Sequence, residues 1–411
     1  MSKIDGNRRP IRLAILFDVK NTGGGGYQQA LNSVLLVKKL SSDLVNPIFF
    51  THELENIDFL GEHNIEAQYI SRTLIRRVLS VFRQLITHPR ILNWWSRVFG
   101  LNYFEKKLVN NKIDLAYFLS STPIACELEQ INYMTTVWDL SHRDFVEFPE
   151  VSNGRIFERR EKTYRALLPK ATAIIADSAL GKENIIRRYG IDENRIYIMP
   201  FSAANVIMES KNHIDNVNIQ DKYQLKTPYV YYPAQFWSHK NHVYLLQGLK
   251  FLENEFNKKI SVIFTGRDKG NLKYVQKISD ELKLTERVRF AGFVSDNELE
   301  TLYKQSLALV MPTYFGPTNI PPLEAFTLGV PVLYSNIEGL VDQVGDAAML
   351  IDLDDPMSMA IQLNELIDNN KLRDSLISNG YSLINELTDE KRLKVLEDIL
   401  RQYQTRRFSW E

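Results

Sequence analysis

The sequence is poor in most features that would assign a function by themselves. It has one cysteine, Cys126, among 411 residues, so no internal disulfide can form and no Cys/His set has the spacing of a zinc site. A lone cysteine in an apolar stretch reads as a small buried residue rather than a nucleophile. Neither sign of charge is in excess, with 50 Lys and Arg against 50 Asp and Glu. Nucleic-acid binders depend on a basic surplus to neutralise phosphates, so no nucleic-acid partner is expected. No run approaches the roughly 20 apolar residues that cross a bilayer. The opening segment MSKIDGNRRP is polar with no apolar stretch behind it, so no signal peptide is expected. The expectation is a cytoplasmic protein, free to sit on the inner face of a membrane.

What is present is ordinary in composition and orderly in pattern. Apolar residues make up 44% and charged residues 24%, as in a soluble enzyme, and the length exceeds what one core usually supports. Short apolar runs at 11–17, 46–51, 113–119, 134–138, 171–177 and 195–199 read as strands, with helical patterns such as 27–40 between them. The pattern lapses over the polar stretch 205–227 and then restarts. Strand-like runs follow at 229–232, 261–265, 288–291, 308–311 and 330–334, and 357–400 is rich in helix. Alternation of this kind predicts two doubly wound parallel α/β domains, one over 1–204 and one over 228–385, with the linker at 205–227. Residues 386–411 are expected to form a helix that returns to the first domain. Such sheets bind ligands beyond the carboxyl ends of their strands, and a cleft between two domains is the expected site.

Two segments carry chemistry. DVKNTGGGGY, at 18–27, lies between the first strand and first helix, and its four glycines let backbone amides approach an anion at a helix start. A dinucleotide fingerprint fits poorly, because Gln29 stands where a third glycine or alanine would follow Gly24 and Gly26. Glu53, after the second strand, keeps a dehydrogenase reading open at this point. YFGPTNIPPLEAFTLG, at 314–329, follows a strand; Pro321 and Pro322 suit a helix opening and Asn319 its cap. Glu324 is placed in the first turn, where it either complements the helix dipole or accepts the hydroxyls of a ribose.

IPPLEAFTLGVPVLYS resembles the C-terminal signature of the family-4 retaining glycosyltransferases (glycosyl transferases group 1). The likeness runs in order along nearly the whole chain. GGGGYQQAL is similar to that family's glycine loop, TTVWDLSHRDFVEFPE to its loop after a middle strand, IIADSALGKENI to a strand and helix late in its first domain, and YYPAQFWSHKNH to its basic phosphate loop. VRFAGFVSDNELETLYKQSLALVMPTYFG and GLVDQVGDAAMLID are similar to the segments flanking the signature. The resemblance implies the α/β GT-B fold, two Rossmann-like domains facing each other across a cleft. It also implies transfer of a hexose, mannose or similar, from a GDP- or UDP-linked donor to a saccharide or lipid-linked acceptor, in cell-surface polysaccharide or glycolipid synthesis.

Carried over by position, Glu324 resembles the acid that binds the donor's ribose, and Lys240 the lysine that neutralises its diphosphate. Gly24 and Gly25 would bring amides to the phosphates, and Asn319 and Ile320 backbone groups to the sugar. Asp139 corresponds to the aspartate of the loop in the first domain and is, with Lys240 and Glu324, a candidate catalytic residue, either contacting the sugar or acceptor or ordering its loop. Three positions depart from the pattern: Gly316 replaces a glutamate, Gln235 an arginine and Trp138 a histidine. Arg267 or His239 is the candidate for the missing cation, and His142 for the missing histidine. With no second carboxylate beside Glu324, the resemblance implies attack from the leaving-group face, assisted by a donor phosphate oxygen, rather than a two-carboxylate route.

Asp352, Asp354 and Asp355 superficially offer a metal-binding acid pair, but their place before Pro356 predicts a turn and helix cap, and no metal or cofactor is expected beyond the nucleotide-sugar co-substrate. Residues 71–112 hold nine basic residues against Glu105 alone, and Leu74, Ile75, Val78, Leu79, Phe82, Leu85 and Ile86 recur at helical spacing. With Trp94 and Trp95 this reads either as a packed helix with a basic outer face or as a contact to an anionic membrane. A sugar-nucleotide-binding protein that keeps the fold without turnover is the alternative function, favoured by Gly316 and Gln235.

Overall fold

A computed structural model of the chain describes residues 9–20, 24–73, 90, 101–204, 207, 217–316 and 318–410. Contacts divide it into two units. The first comprises residues 1–140, 158–200 and 389–411, and the second 141–157 and 201–388.

The first unit is built on β1 (Ile11–Leu16), β2 (Val45–Thr51), β3 (Ala67–Tyr69), β4 (Leu115–Phe118), β5 (Asn132–Val137), β6 (Ala173–Ala176) and β7 (Ile196–Ile198), in the order β3-β2-β1-β4-β5-β6-β7. Every pairing is parallel, with Leu13 beside Pro47 on one flank and Leu115 on the other. A parallel strand covered on both faces has no polar side to keep, which is why LAYF and AIIA read as continuous apolar runs and IRLAIL is broken only by the half-buried Arg12. The strands not among the predicted runs include β3, three residues at the sheet edge with an exposed Tyr69.

The second unit holds β8 (Tyr229–Pro233), β9 (Ser261–Thr265), β10 (Val288–Gly292), β11 (Leu309–Met311), β12 (Val332–Ser335) and β13 (Ala348–Ile351), ordered β10-β9-β8-β11-β12-β13 and again wholly parallel. Each sheet reverses its winding at one place, between β1 and β4 in the first and between β8 and β11 in the second. Loops leaving adjacent strands part there and leave a crevice. Helix ends follow local chemistry: Ser178 caps Ala179–Tyr189 by accepting from the Gly181 amide at 3.0 Å, and Gly190 closes it in the left-handed region at φ 63°.

Two further features shape the first unit. The buried carboxylate of Glu105 accepts from the amides of Glu129, Gln130 and Ile131 at 2.7, 2.6 and 3.1 Å, fixing the turn that enters β5. The helix Asp389–Arg407 packs Leu396, Ile399, Leu400 and Tyr403 into the core under β1, β2 and β4. Burial of each such side chain contributes about 1.5–3 kcal/mol. Tyr403 donates to the Asp114 carbonyl at 2.5 Å, and the Asp114 carboxylate takes Arg9 at 2.6 Å and Arg407 at 2.7 Å.

Residues 141–157, inside the segment that the sequence reading assigns whole to the first domain, lie with the second unit instead. Aromatic contact explains it: Phe145 stacks on Phe315 with centroids 5.6 Å apart, and Phe148 meets Tyr314 at 5.3 Å. Glu150 accepts from the His239 amide at 2.8 Å and also meets the His239 ring nitrogen Nδ1. Of the predicted basic stretch, 74–89 and 91–100 lie outside the described residues, as do Gly23 and most of the linker. No helix among the described residues is long and apolar enough to cross a membrane.

Candidate functional site

The switch point of the second sheet gathers the chemistry. The loop leaving β8 carries Gln235 to Lys240, ends in a single 3-10 turn, and passes through Asn241 at φ 51°, ψ 43° into the helix His242–Phe256. Asparagine tolerates that left-handed conformation better than most residues. The Lys240 carbonyl accepts from the Tyr232 hydroxyl at 2.8 Å, which pins the turn to the sheet. Its ammonium reaches across to the loop leaving β11, where it donates to Asn319 Oδ1 at 3.0 Å and lies 3.4 Å from Thr313 Oγ1.

Asn319 holds the N-cap position of the helix Ile320–Thr327, yet its side chain makes no cap bond, unlike the predicted cap. It is committed elsewhere. Its Nδ2 donates to the Tyr334 hydroxyl at 2.7 Å, its amide donates to Gln343 Oε1 at 2.9 Å, and Gln343 Nε2 donates to its carbonyl at 2.5 Å. Two backbone bonds to Gln343 and one side-chain bond to Tyr334 thus hold Asn319 so that its side-chain oxygen faces Lys240. Ile320, also buried, opens the helix, followed by Pro321 and Pro322.

Glu324 is the fifth residue of that helix, in its second turn and not the predicted first, so the dipole does not account for it. It is buried, and Tyr303, from the helix Asp296–Lys304, donates its hydroxyl to Glu324 Oε2 at 2.7 Å. Burial pushes the carboxyl up from its ordinary 4.5 to about 7; the Tyr303 hydroxyl and Ala204 amide oppose the rise, and Asp296 adds to it.

The three departures have structural counterparts. Gly316 has φ 112°, a conformation side chains rarely adopt, and a Cβ there would stand 3.2 Å from the Asn319 amide. A side chain at this position would be strained. Gly316→Glu is therefore expected to lower activity and to cost about 1–3 kcal/mol in urea unfolding. Gln235 starts the β8 loop, and the exposed Arg267 sits in the adjoining β9 loop with its guanidinium 5.6 Å over the Phe293 ring. The two loops are joined by the Phe236 amide donating to the Arg267 carbonyl at 3.0 Å. Trp138 packs on the glycine loop, and a methyl added to Gly26 would stand 2.6 Å from its indole.

The first unit carries the other predicted residues at its own carboxyl edge. Gly24, at φ 134°, and Gly25 open the helix Gly25–Lys38, and both are exposed. Asp139 is bound by Arg160, which donates at 2.6 Å to its carboxylate and at 3.0 Å to its carbonyl, while Tyr164 donates to the same carbonyl at 3.0 Å. His142, in the 141–157 stretch that lies with the second unit, is fully buried with its ring against Phe157, 5.5 Å between centroids. Glu53 faces Lys20 at 3.9 Å in an exposed pair of little energetic weight. In the second unit Asp355 caps the helix Pro356–Asp368 and Asp352 accepts from the Asp354 amide at 3.0 Å, the turn chemistry their sequence predicts.

Residues 215–383 match the family described as glycosyl transferases group 1. The chain is 24% identical over 258 residues to O-antigen chain mannosyltransferase B of Escherichia coli, covering 62% of this chain and 67% of that one. It is 29% identical over 221 residues to the capsular polysaccharide biosynthesis glycosyltransferase CapM of Staphylococcus aureus, covering 51% and 56%. Over 177 residues it is 29% identical to O-antigen chain mannosyltransferase RfbU of Salmonella typhimurium, covering 43% and 46%. The chain thus spans two thirds of the first of these and about half of the other two. Among solved structures, Anabaena HepE in complex with UDP-glucose superposes with a TM-score of 0.70 at 13% identity, over 97% of this chain and all of that one. A glycosyltransferase of Rickettsia africae gives 0.67 at 14%, over 96% and 98%. These similarities, with the two parallel sheets, show the α/β GT-B fold.

Proposed function

From the match of residues 215–383 to the glycosyl transferases group 1 family we propose that the chain belongs to it and moves a hexose, mannose or similar, from a GDP- or UDP-linked donor to a saccharide or lipid-linked acceptor. Relatives named for O-antigen chain and capsule synthesis support cell-surface polysaccharide as the product class. The observation that carries the reading is the junction of the β8 and β11 loops, where Lys240 is aimed by Asn319 above a helix that buries Glu324.

In this scheme Glu324 accepts the ribose hydroxyls and Lys240 stabilises the diphosphate as the bond from anomeric carbon to phosphate oxygen breaks. The acceptor oxygen bonds to the anomeric carbon on that same face, and its proton passes to the departing phosphate oxygen. Configuration is retained without a covalent enzyme intermediate. Gly24 and Gly25 supply backbone amides toward the phosphates, and Asn319 and Ile320 backbone groups toward the sugar. Asp139, fixed by Arg160, orders its loop on the acceptor side rather than acting as an isolated acid. No metal is required in this reading.

Incubation with GDP-mannose, UDP-glucose and other donors, with and without saccharide or lipid-linked acceptors, is expected to release nucleotide that depends on acceptor and persists in EDTA. Binding of nucleotide with no release under any pairing supports the non-catalytic alternative, which Gly316 and Gln235 favour. A peripheral membrane role through 71–112 belongs to the same proposal; sedimentation with anionic vesicles at low salt tests it, and a chain left in the supernatant argues against it.

A further inference from the structure

Tyr303 has no place in the sequence signature, yet it makes a buried contact to the residue on which donor binding is proposed to rest. It projects from the helix Asp296–Lys304, is fully buried, and meets Tyr231 of β8 edge-on, with centroids 4.9 Å apart and planes at 90°. Its hydroxyl lies 2.7 Å from Glu324 Oε2 and 3.4 Å from the Pro321 carbonyl, so its one proton goes to the carboxylate. Tyr231 spends its own hydroxyl on Thr265 Oγ1 at 2.8 Å. Packing and hydrogen bonding therefore leave the Tyr303 hydroxyl one orientation.

We propose that Tyr303 is a positioning residue that holds the Glu324 carboxylate, through one oxygen, in the orientation the donor's ribose hydroxyls require. A buried carboxylate with a free torsion would lose that orientation, and with too few donors it would take up a proton in place of accepting the ribose. The titratable or charged groups acting on it are Tyr303 and Asp296 of one helix and Tyr231 of β8, joined by the Ala204 amide. Tyr303 is a donor that favours the charged form, whereas Asp296 disfavours it. Removing the hydroxyl shifts the balance toward the protonated acid. The inference rests on the reading of Glu324 as the ribose acceptor.

The test is calorimetric titration of the full chain with UDP and GDP between about pH 5.5 and pH 9, for the parent, Tyr303→Phe and Glu324→Gln. The nucleotides' own terminal phosphate titrates in this range, so the quantity read is the variant-to-parent ratio of Kd, in which that titration cancels. For Tyr303→Phe the ratio is expected to be small at the alkaline end and to grow to about tenfold or more as pH falls through 7. A ratio that stays flat with pH, while Glu324→Gln loses affinity, overturns the role of Tyr303 and leaves Glu324 standing. Glu324→Gln binding as well as the parent does removes the ribose reading itself, and the proposal with it. If Tyr303→Phe fails to fold, Tyr303→3-fluorotyrosine, near in size and a stronger donor, is expected to move the ratio the opposite way; an unchanged ratio there also overturns it.

Discussion

Glu324→Gln is expected to bind UDP and GDP about 100-fold more weakly than the parent and to lose most transfer activity. Two hydroxyl bonds to a carboxylate are worth about 1.5–3 kcal/mol each, and glutamine keeps one acceptor oxygen, which Tyr303 already occupies. The same change is expected to alter stability with a definite pH signature. Folded, Glu324 titrates at about 7 against an ordinary 4.5, chiefly because burial penalises its charge. Between those values the folded chain keeps a proton that the unfolded chain has released. Stability therefore falls as pH rises through the window, and the loss is complete above it. At 1.4 kcal/mol per unit, that loss is about 3 kcal/mol. Glutamine cannot ionise, so its stability relative to the parent should improve by about this amount from about pH 5 to about pH 8. Urea midpoints at the two pH values give the answer, and an identical difference at both would show that burial does not raise this carboxyl.

Lys240→Ala carries the second large effect. A positioned cation or donor that stabilises developing charge is worth about 10²–10³ in kcat when removed. Lys240 is placed by neutral oxygens, Asn319 Oδ1 and Thr313 Oγ1, so its charge is aimed without being cancelled by either. Arginine is not an equivalent, because its planar fork cannot sit where a compact ammonium meets those two oxygens. Initial rates at saturating and limiting donor separate the two parameters: kcat should fall by two orders of magnitude or more, with a smaller rise in KM. Activity within a few-fold of the parent would remove Lys240 from the reaction.

The sequence made the fold legible because a parallel strand covered on both sides is apolar through most of its length; SVIFT at 261–265 and AIIA at 173–176 announce themselves for that reason. β3 did not, since three residues at an edge bury little. In the site, spacing alone left Glu324 ambiguous between a dipole partner and a ribose acceptor, and resemblance favoured the second. Its Tyr303 contact joins residues 21 apart, Lys240 reaches Asn319 across 79, and Arg160 claims Asp139 from 21 positions away. No periodicity reports such pairings, because they depend on how loops from different strands converge. The Asn319 side chain misled for the same reason: position marks it as a cap, and only the fold brings Lys240 and Tyr334 close enough to compete. The residues 141–157 were misassigned because aromatic contacts, not sequence order, decide which core a segment joins.

The helix Asp389–Arg407 sets an order on biosynthesis. The first unit cannot complete its interior until Leu396, Ile399, Leu400 and Tyr403 leave the ribosome, and roughly two hundred residues of the second unit are translated in between. At about 5–20 residues per second the open face waits on the order of ten to forty seconds. During that interval the core that receives the helix is exposed, and chaperone demand should concentrate there.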